Sequence, residues 1–181
     1  MAISAIAIAN AFIDLGKENG CTDLTPMKLQ KLVYFAHGWN LAVSDESLID
    51  EQVEAWQYGP VVGSIYHAAK MFGNSSISQY LLAPAMCSNG IPSWQPKLLS
   101  SSERSAVMPL LNWIWSQYGR FTGVALSNMT HEENTPWKIT VDTHGGNIPR
   151  NTDIDIEIIR NHFKMELAQA QALIGAATRV E

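Results

Sequence analysis

Apolar residues recur three and four apart through much of the chain, and the breaks between these runs divide it into helices. From Ser4 to Glu18, Ile6, Ala9, Phe12 and Ile13 share one face and Gly20 ends the run, which predicts a first helix. Thr25 then caps a helix at Pro26, where a missing N–H costs nothing; over Lys28–Val43 its inward face is Leu29, Leu32, Val33 and Ala36. Lys28, Gln30, Lys31, Tyr34 and His37 fall on neighbouring faces, a polar stripe beside the apolar one. Helical period is lost between Ser47 and Tyr58, where Val53 and Trp56 predict a short extended arm. Gly59-Pro60 restarts a helix with Pro60 at its first position, Val62, Ile65, Tyr66 and Ala69 inside and Gly73 as its stop.

Residues 74–100, with Pro84, Pro92 and Pro96, read as a long surface connection with a strand near Ile77–Leu82. A helix follows from Ser102, facing Val107, Leu110, Leu111, Ile114 and Tyr118 inward, and Pro109 predicts a kink in it or a start near Met108. Phe121-Thr122 opens a short helix to Met129, Thr135-Pro136 opens another at Trp137, and Thr152 caps a long last helix through Ile156, Ile159, Phe163, Leu167, Ala170 and Ile174. The predicted fold is mainly α: a compact multi-helix domain of five or six helices with a small β-hairpin or short sheet element.

Composition narrows the function classes. With 181 residues, 46% hydrophobic and 16% charged, the chain is a single globular domain rather than a disordered one. Twelve basic against 17 acidic residues leave a net charge of −5, which argues against direct nucleic-acid binding. The apolar run at residues 1–13 has no preceding Lys or Arg and is too short to cross a bilayer, so it is read as a buried helix and no membrane partner is expected. Cys21 and Cys87 are too few for a zinc motif and suggest reduced thiols in a cytoplasmic protein.

Three blocks carry a resemblance. Lys28-Leu29-Gln30-Lys31-Leu32-Val33-Tyr34-Phe35-Ala36-His37-Gly38 is similar to the KLQKLxYFAxG signature of the Panacea domain, the SocA-like antitoxin family. Glu54-Ala55-Trp56-Gln57-Tyr58-Gly59-Pro60-Val61 with Tyr66 resembles its EAWxxGPVxxxxY block, and Leu126-Ser127 through Thr130-His131, Glu133 and Pro136-Trp137 resembles its LSxxTHxExxPW block. The resemblance covers residues 1–163 as the Panacea domain and leaves 164–181 as a C-terminal helical extension. It implies an antitoxin that neutralises a cognate toxin by direct binding, not an enzyme and with no cofactor. In one branch of the family the antitoxin is an adaptor that delivers its toxin to the ClpXP protease, and other members are prophage-borne, where inhibition of a host factor is the alternative.

Weighed one by one, the motif residues divide into two groups. Lys28, Leu29, Gln30, Trp56, Gly59, Pro60, Pro136 and Trp137 are assigned to structure, since an aromatic stacked on proline fixes a loop. Lys31, Tyr34, His37, Tyr66, Trp113, Trp115, His131 and Glu133 are assigned to the partner surface. Trp113 and Trp115 are two apart on a helix, so one points outward and can anchor an interface. His131 with Glu133 could hold a metal or move a proton in a rival, enzymatic reading, but the spacing is not H-E-x-x-H and no metal is expected. The alternative for His131 is to bond backbone carbonyls and lock the Thr130–Trp137 loop. The tail after Lys164 either extends the core helix, docks in a partner groove or pairs with its own copy.

Overall fold

Seven α-helices and two two-stranded antiparallel sheets make up the described residues, 2–87 and 90–177, of the computed structural model. The helices are α1 (Ala5–Glu18), α2 (Pro26–Ser44), α3 (Gly63–Ala69), α4 (Ser101–Tyr118), α5 (Gly123–Thr130), α6 (Pro136–Thr143) and α7 (Ile156–Ala177). The strands are β1 (Glu54–Trp56) paired with β2 (Gly59–Val61), and β3 (Leu82–Met86) paired with β4 (Pro92–Pro96). Mainly α is therefore the right class, while an all-α description leaves out both hairpins.

Helix α2 is the axis of the fold. Its start is set locally: Thr25 Oγ1 accepts from Lys28 N (3.3 Å) and Pro26 takes the first turn. It packs against α1, α3, α4, α5 and α7, and every residue from Lys28 to Gly38 is buried. A helix surrounded on all sides has no solvent stripe. Lys28, Gln30, Lys31, Tyr34 and His37 are thus interior polar groups and not the exposed face that periodicity suggests. Against α7, the Phe163 ring fills the space that a side chain at Gly38 would need, and Phe163 also meets Tyr34 edge-on at 5.8 Å. Phe35 stacks on Tyr118 at 4.4 Å, which ties α4 to the same cluster.

Four local expectations are corrected. Pro60 belongs to β2, not to a helix start; α3 begins at Gly63. Helix α4 runs from Ser101 through Pro109 to Tyr118, opened by a capping box in which Ser100 and Glu103 bond each other's backbone N–H. Pro109 and Ser105 are both exposed, so water can reach the carbonyl that Pro109 leaves without its donor. Thr152 donates to Pro149 O (2.8 Å) instead of capping α7, where Asp155 Oδ1 accepts from Glu157 N (2.8 Å). The strand expected near Ile77–Leu82 lies further on, as β3 and β4. This second hairpin is rooted by Asn10 on α1: fully buried, its Nδ2 donates to Leu81 O (2.9 Å) and Lys97 O (2.8 Å) and its Oδ1 accepts from Leu81 N (2.8 Å). Helix α7 passes residue 164 without a break; residues 178–181 of the proposed extension lie outside the described residues.

Candidate functional site: a clamped hairpin and its flanking grooves

The three motif blocks meet at one place, the turn between β1 and β2. Its backbone carbonyls are held one after another by side chains from other elements. Trp137 Nε1, on α6, donates to Trp56 O (2.7 Å); His131 Nε2, just after α5, lies 3.2 Å from Gln57 O; and Ser127 Oγ, on α5, donates to Tyr58 O (2.9 Å). From α2, Lys31 Nζ donates to Pro60 O (3.0 Å), and Gln30 pairs with Val62 as a strand would, Nε2 to Val62 O and Val62 N to Oε1, both 3.0 Å. Gly59 is required by two independent facts: its φ is +98°, and a Cβ would stand 2.5 Å from Thr130 Oγ1 and 2.7 Å from Lys31 Nζ.

His131 sets its second nitrogen, Nδ1, 2.6 Å from Ser127 O, and its ring lies 3.8 Å from that of Trp137. Both nitrogens face backbone carbonyls, the geometry of the loop-anchoring alternative. Glu133 is exposed beside Lys138 (3.8 Å). Among the described residues no group of three His, Cys, Asp or Glu is placed to hold a metal ion.

The two motif lysines are both buried but differ in charge compensation. Lys28 Nζ lies 2.7 Å from Asp23 Oδ1, which holds the Asp23 carboxyl below its ordinary value. Lys31 bonds a carbonyl and pairs with no carboxylate among the described residues, and burial lowers its pKa from 10.5 to about 7. Burial also lowers His37 to about 4, assisted by the positive charge of Arg160, and raises the Tyr34 hydroxyl far above its ordinary range. Among the described residues His37 Nδ1 has no hydrogen-bond partner, and His37 lines a hollow of about 230 Å³ with Ile49, Val53 and Ile159.

Of the residues assigned to a partner surface, Lys31, Tyr34 and His37 are therefore buried and act from inside, and Trp115 is half-buried. Tyr66, Trp113 and Glu133 are exposed, and His131 is half-buried in the clamp. Trp113 is the outward member of its pair and packs edge-on against Trp39 at 5.0 Å. What the clamp presents to solvent is Gln57 and Tyr58 at the hairpin tip, the latter 62% exposed, next to Tyr66, whose ring lies tilted by 57° against Trp56 at 4.6 Å. A groove of about 420 Å³ on one side of the Trp56–Tyr66 pair is lined by Met27, Lys31, Tyr58 and Lys70; a hollow of about 840 Å³ on the other side includes His67, Trp137 and Arg150.

Tyr58, Ser127, Lys70 and Arg150 were not singled out in the sequence. The first two sit inside the motif blocks, Tyr58 next to Gly59 and Ser127 four positions before His131. The last two carry no local signal. A second exposed surface also escaped notice. In the β3–β4 register Leu82 faces Pro96, Pro84 faces Trp94 and Met86 faces Pro92; all six are apolar and exposed. No Asp, Glu, Lys, Arg or His occurs between Lys70 and Lys97.

Comparison with known proteins follows the same blocks. The family model described as antitoxin SocA-like, Panacea domain, matches residues 29–138. The chain is 24% identical over 179 residues to the protein named antitoxin SocA of Caulobacter vibrioides (strain NA1000 / CB15N), covering 99% of this chain and 92% of that protein. No solved structure matches it significantly.

Proposed function

The chain belongs to the SocA-like antitoxin family with a Panacea domain, and from that premise we propose that it neutralises a cognate toxin by binding it directly through the β1–β2 hairpin tip and its grooves. The observation that supports this reading is the clamp: five side chains from α2, α5, the α5–α6 loop and α6 hold one short turn and leave Tyr58 outside. Fixing a turn before binding removes the cost of ordering it in the complex. Tyr58, Tyr66 and Trp56 are the residue types that dominate interface energetics, because they bury a large apolar ring and keep one polar atom for a hydrogen bond.

A toxin is inhibited in this scheme by occlusion. The antitoxin supplies no chemistry, only a rigid aromatic ridge. Handing the bound toxin to a ClpXP-type protease would be a second step of the same reading, separable because it needs the protease and binding does not. Among the described residues no helix is long and apolar enough to cross a membrane, and we place the encounter in the cytoplasm. The test is co-expression with the product of a neighbouring reading frame that is toxic alone. The wild-type chain should restore growth, Tyr58→Ala combined with Tyr66→Ala should not, and rescue by the double variant at normal expression would remove the hairpin from the interface. Rescue in a host lacking ClpXP would confine the mechanism to occlusion.

A further inference from the structure

The two hollows beside the hairpin differ from the rest of the molecule in charge. Together they are lined by Lys31, Lys70, His67 and Arg150, and neither has an Asp or Glu in its lining, in a chain that carries 17 acidic residues and a net charge of −5. Glu54 borders the wall between them, its Oε2 accepting from Trp56 Nε1 (2.9 Å). Trp56, Gln57 and Tyr66 line both hollows, so the two adjoin across an aromatic ridge and together form the candidate track.

We propose that this track receives an extended acidic segment of the partner, in which an Asp or Glu flanks an aromatic or branched apolar residue. The inference rests on the toxin-binding reading above and gives the partner its chemistry. The apolar residue sits against the Trp56 and Tyr66 rings, which pack on each other at a tilt. One carboxylate falls beside exposed Lys70 with Lys31 in the floor, and a carboxylate on the far side falls beside Arg150 and His67. Lys31 is the part of the site that a surface lysine could not supply. It is 1% exposed, its Nζ holds one carbonyl bond and no anion among the described residues, and charge attraction is stronger at the edge of a low-dielectric interior than in water. An incoming carboxylate is the counter-ion that the fold leaves out there, whereas Lys28, three residues away, already has Asp23. Because the track continues on both sides of the ridge, the occupant is a through-running segment and need not end in the groove.

The experiment is a selection of random heptapeptides, displayed with both ends blocked by flanking sequence, on the immobilised full-length chain. The expected result is enrichment of peptides that place Asp or Glu next to an aromatic or branched apolar residue. Selected peptides should bind Lys70→Glu with Arg150→Glu about tenfold more weakly than wild type or worse, and Lys70→Gln with Arg150→Gln by an intermediate factor. Near-ultraviolet circular dichroism checks that both double variants are folded. Selected peptides without acidic residues, binding unaffected by charge reversal, or no enrichment over a blank surface would each overturn the inference, and enrichment only in a library with free C-termini would assign the groove to a chain end instead. Toxin rescue without acidic enrichment removes this inference and keeps the toxin-binding reading. Acidic enrichment with no toxin rescued does the reverse.

Discussion

Gln30→Leu tests the tie between the central helix and the hairpin. Leucine keeps most of the volume of the side chain and removes both of its hydrogen bonds to Val62. The two losses are unequal. Val62 O keeps the bond it accepts from Tyr66 N (3.1 Å), so the missing Nε2 donor costs about 0.5–1.5 kcal/mol. Val62 N has Gln30 Oε1 as its partner in a residue only 1% exposed, and a buried N–H left without an acceptor costs about 1–3 kcal/mol. The expected sum is about 1.5–4.5 kcal/mol, which for a domain of this size lowers the melting temperature by roughly 3–18 °C. Urea unfolding of wild type and variant at neutral pH measures it, with Gln117→Leu on the exposed face of α4 as the control expected within about 0.5 kcal/mol. A Gln30→Leu loss below about 1 kcal/mol with an unchanged m-value would mean that water reaches Val62 N, and the clamp would then be looser than described.

The remaining expectations concern packing, pH and the second hairpin. Gly38→Ala forces a methyl into the Phe163 ring and should cost about 1–3 kcal/mol by overpacking; an unchanged urea midpoint would separate α2 from α7. Stability should fall on acidification: the unfolded histidine takes up a proton near pH 6.5 that His37 refuses until about 4, and the unfolded lysine holds to 10.5 a proton that Lys31 releases near 7. Both make the unfolded state the better proton binder, so stability rises with pH through these two windows. A higher urea midpoint at about pH 5 than at about pH 9 would contradict the sign. Trp94→Ser on the outward face of β4 should change stability by less than about 0.5 kcal/mol and reduce binding of a dye that reports exposed apolar surface; a large loss of stability would place Trp94 in the core.

Where the chemistry is local, the sequence was enough. Thr25-Pro26 and Thr135-Pro136 open α2 and α6 because a hydroxyl cap and a first-turn proline act within three residues. Gly73 stops the α3 region for the same kind of reason, with φ at +54°. Pro60 failed because a Gly-Pro pair suits a helix start and a hairpin arm equally, and the choice is made by Lys31 and Ser127, 29 residues before it and 67 after. The stripe on α2 failed because periodicity sorts residues onto faces without saying what lies against each face. Five neighbouring helices enclose α2, so Gln30 and Lys31 became clamps while Lys28, Tyr34 and His37 became interior groups. The β3–β4 hairpin was invisible as a unit because its anchor, Asn10, sits inside an apolar helix about 70 residues earlier. Of the candidate site, the motif blocks fall on the elements that build the clamp, while the exposed tip and the basic groove residues emerged only from how those elements pack.

The central claim is that a rigidly held hairpin tip is the partner-binding surface of an antitoxin, and isothermal titration of the purified chain with the neighbouring toxin tests it most directly. Wild type should form a stoichiometric complex. Tyr58→Ala should weaken it by about 2 kcal/mol or more, roughly thirtyfold, with little change in melting temperature, since Tyr58 is 62% exposed and its clamped carbonyl belongs to the backbone. An affinity for Tyr58→Ala equal to that of wild type, with the complex intact, would place the interface elsewhere and contradict the account.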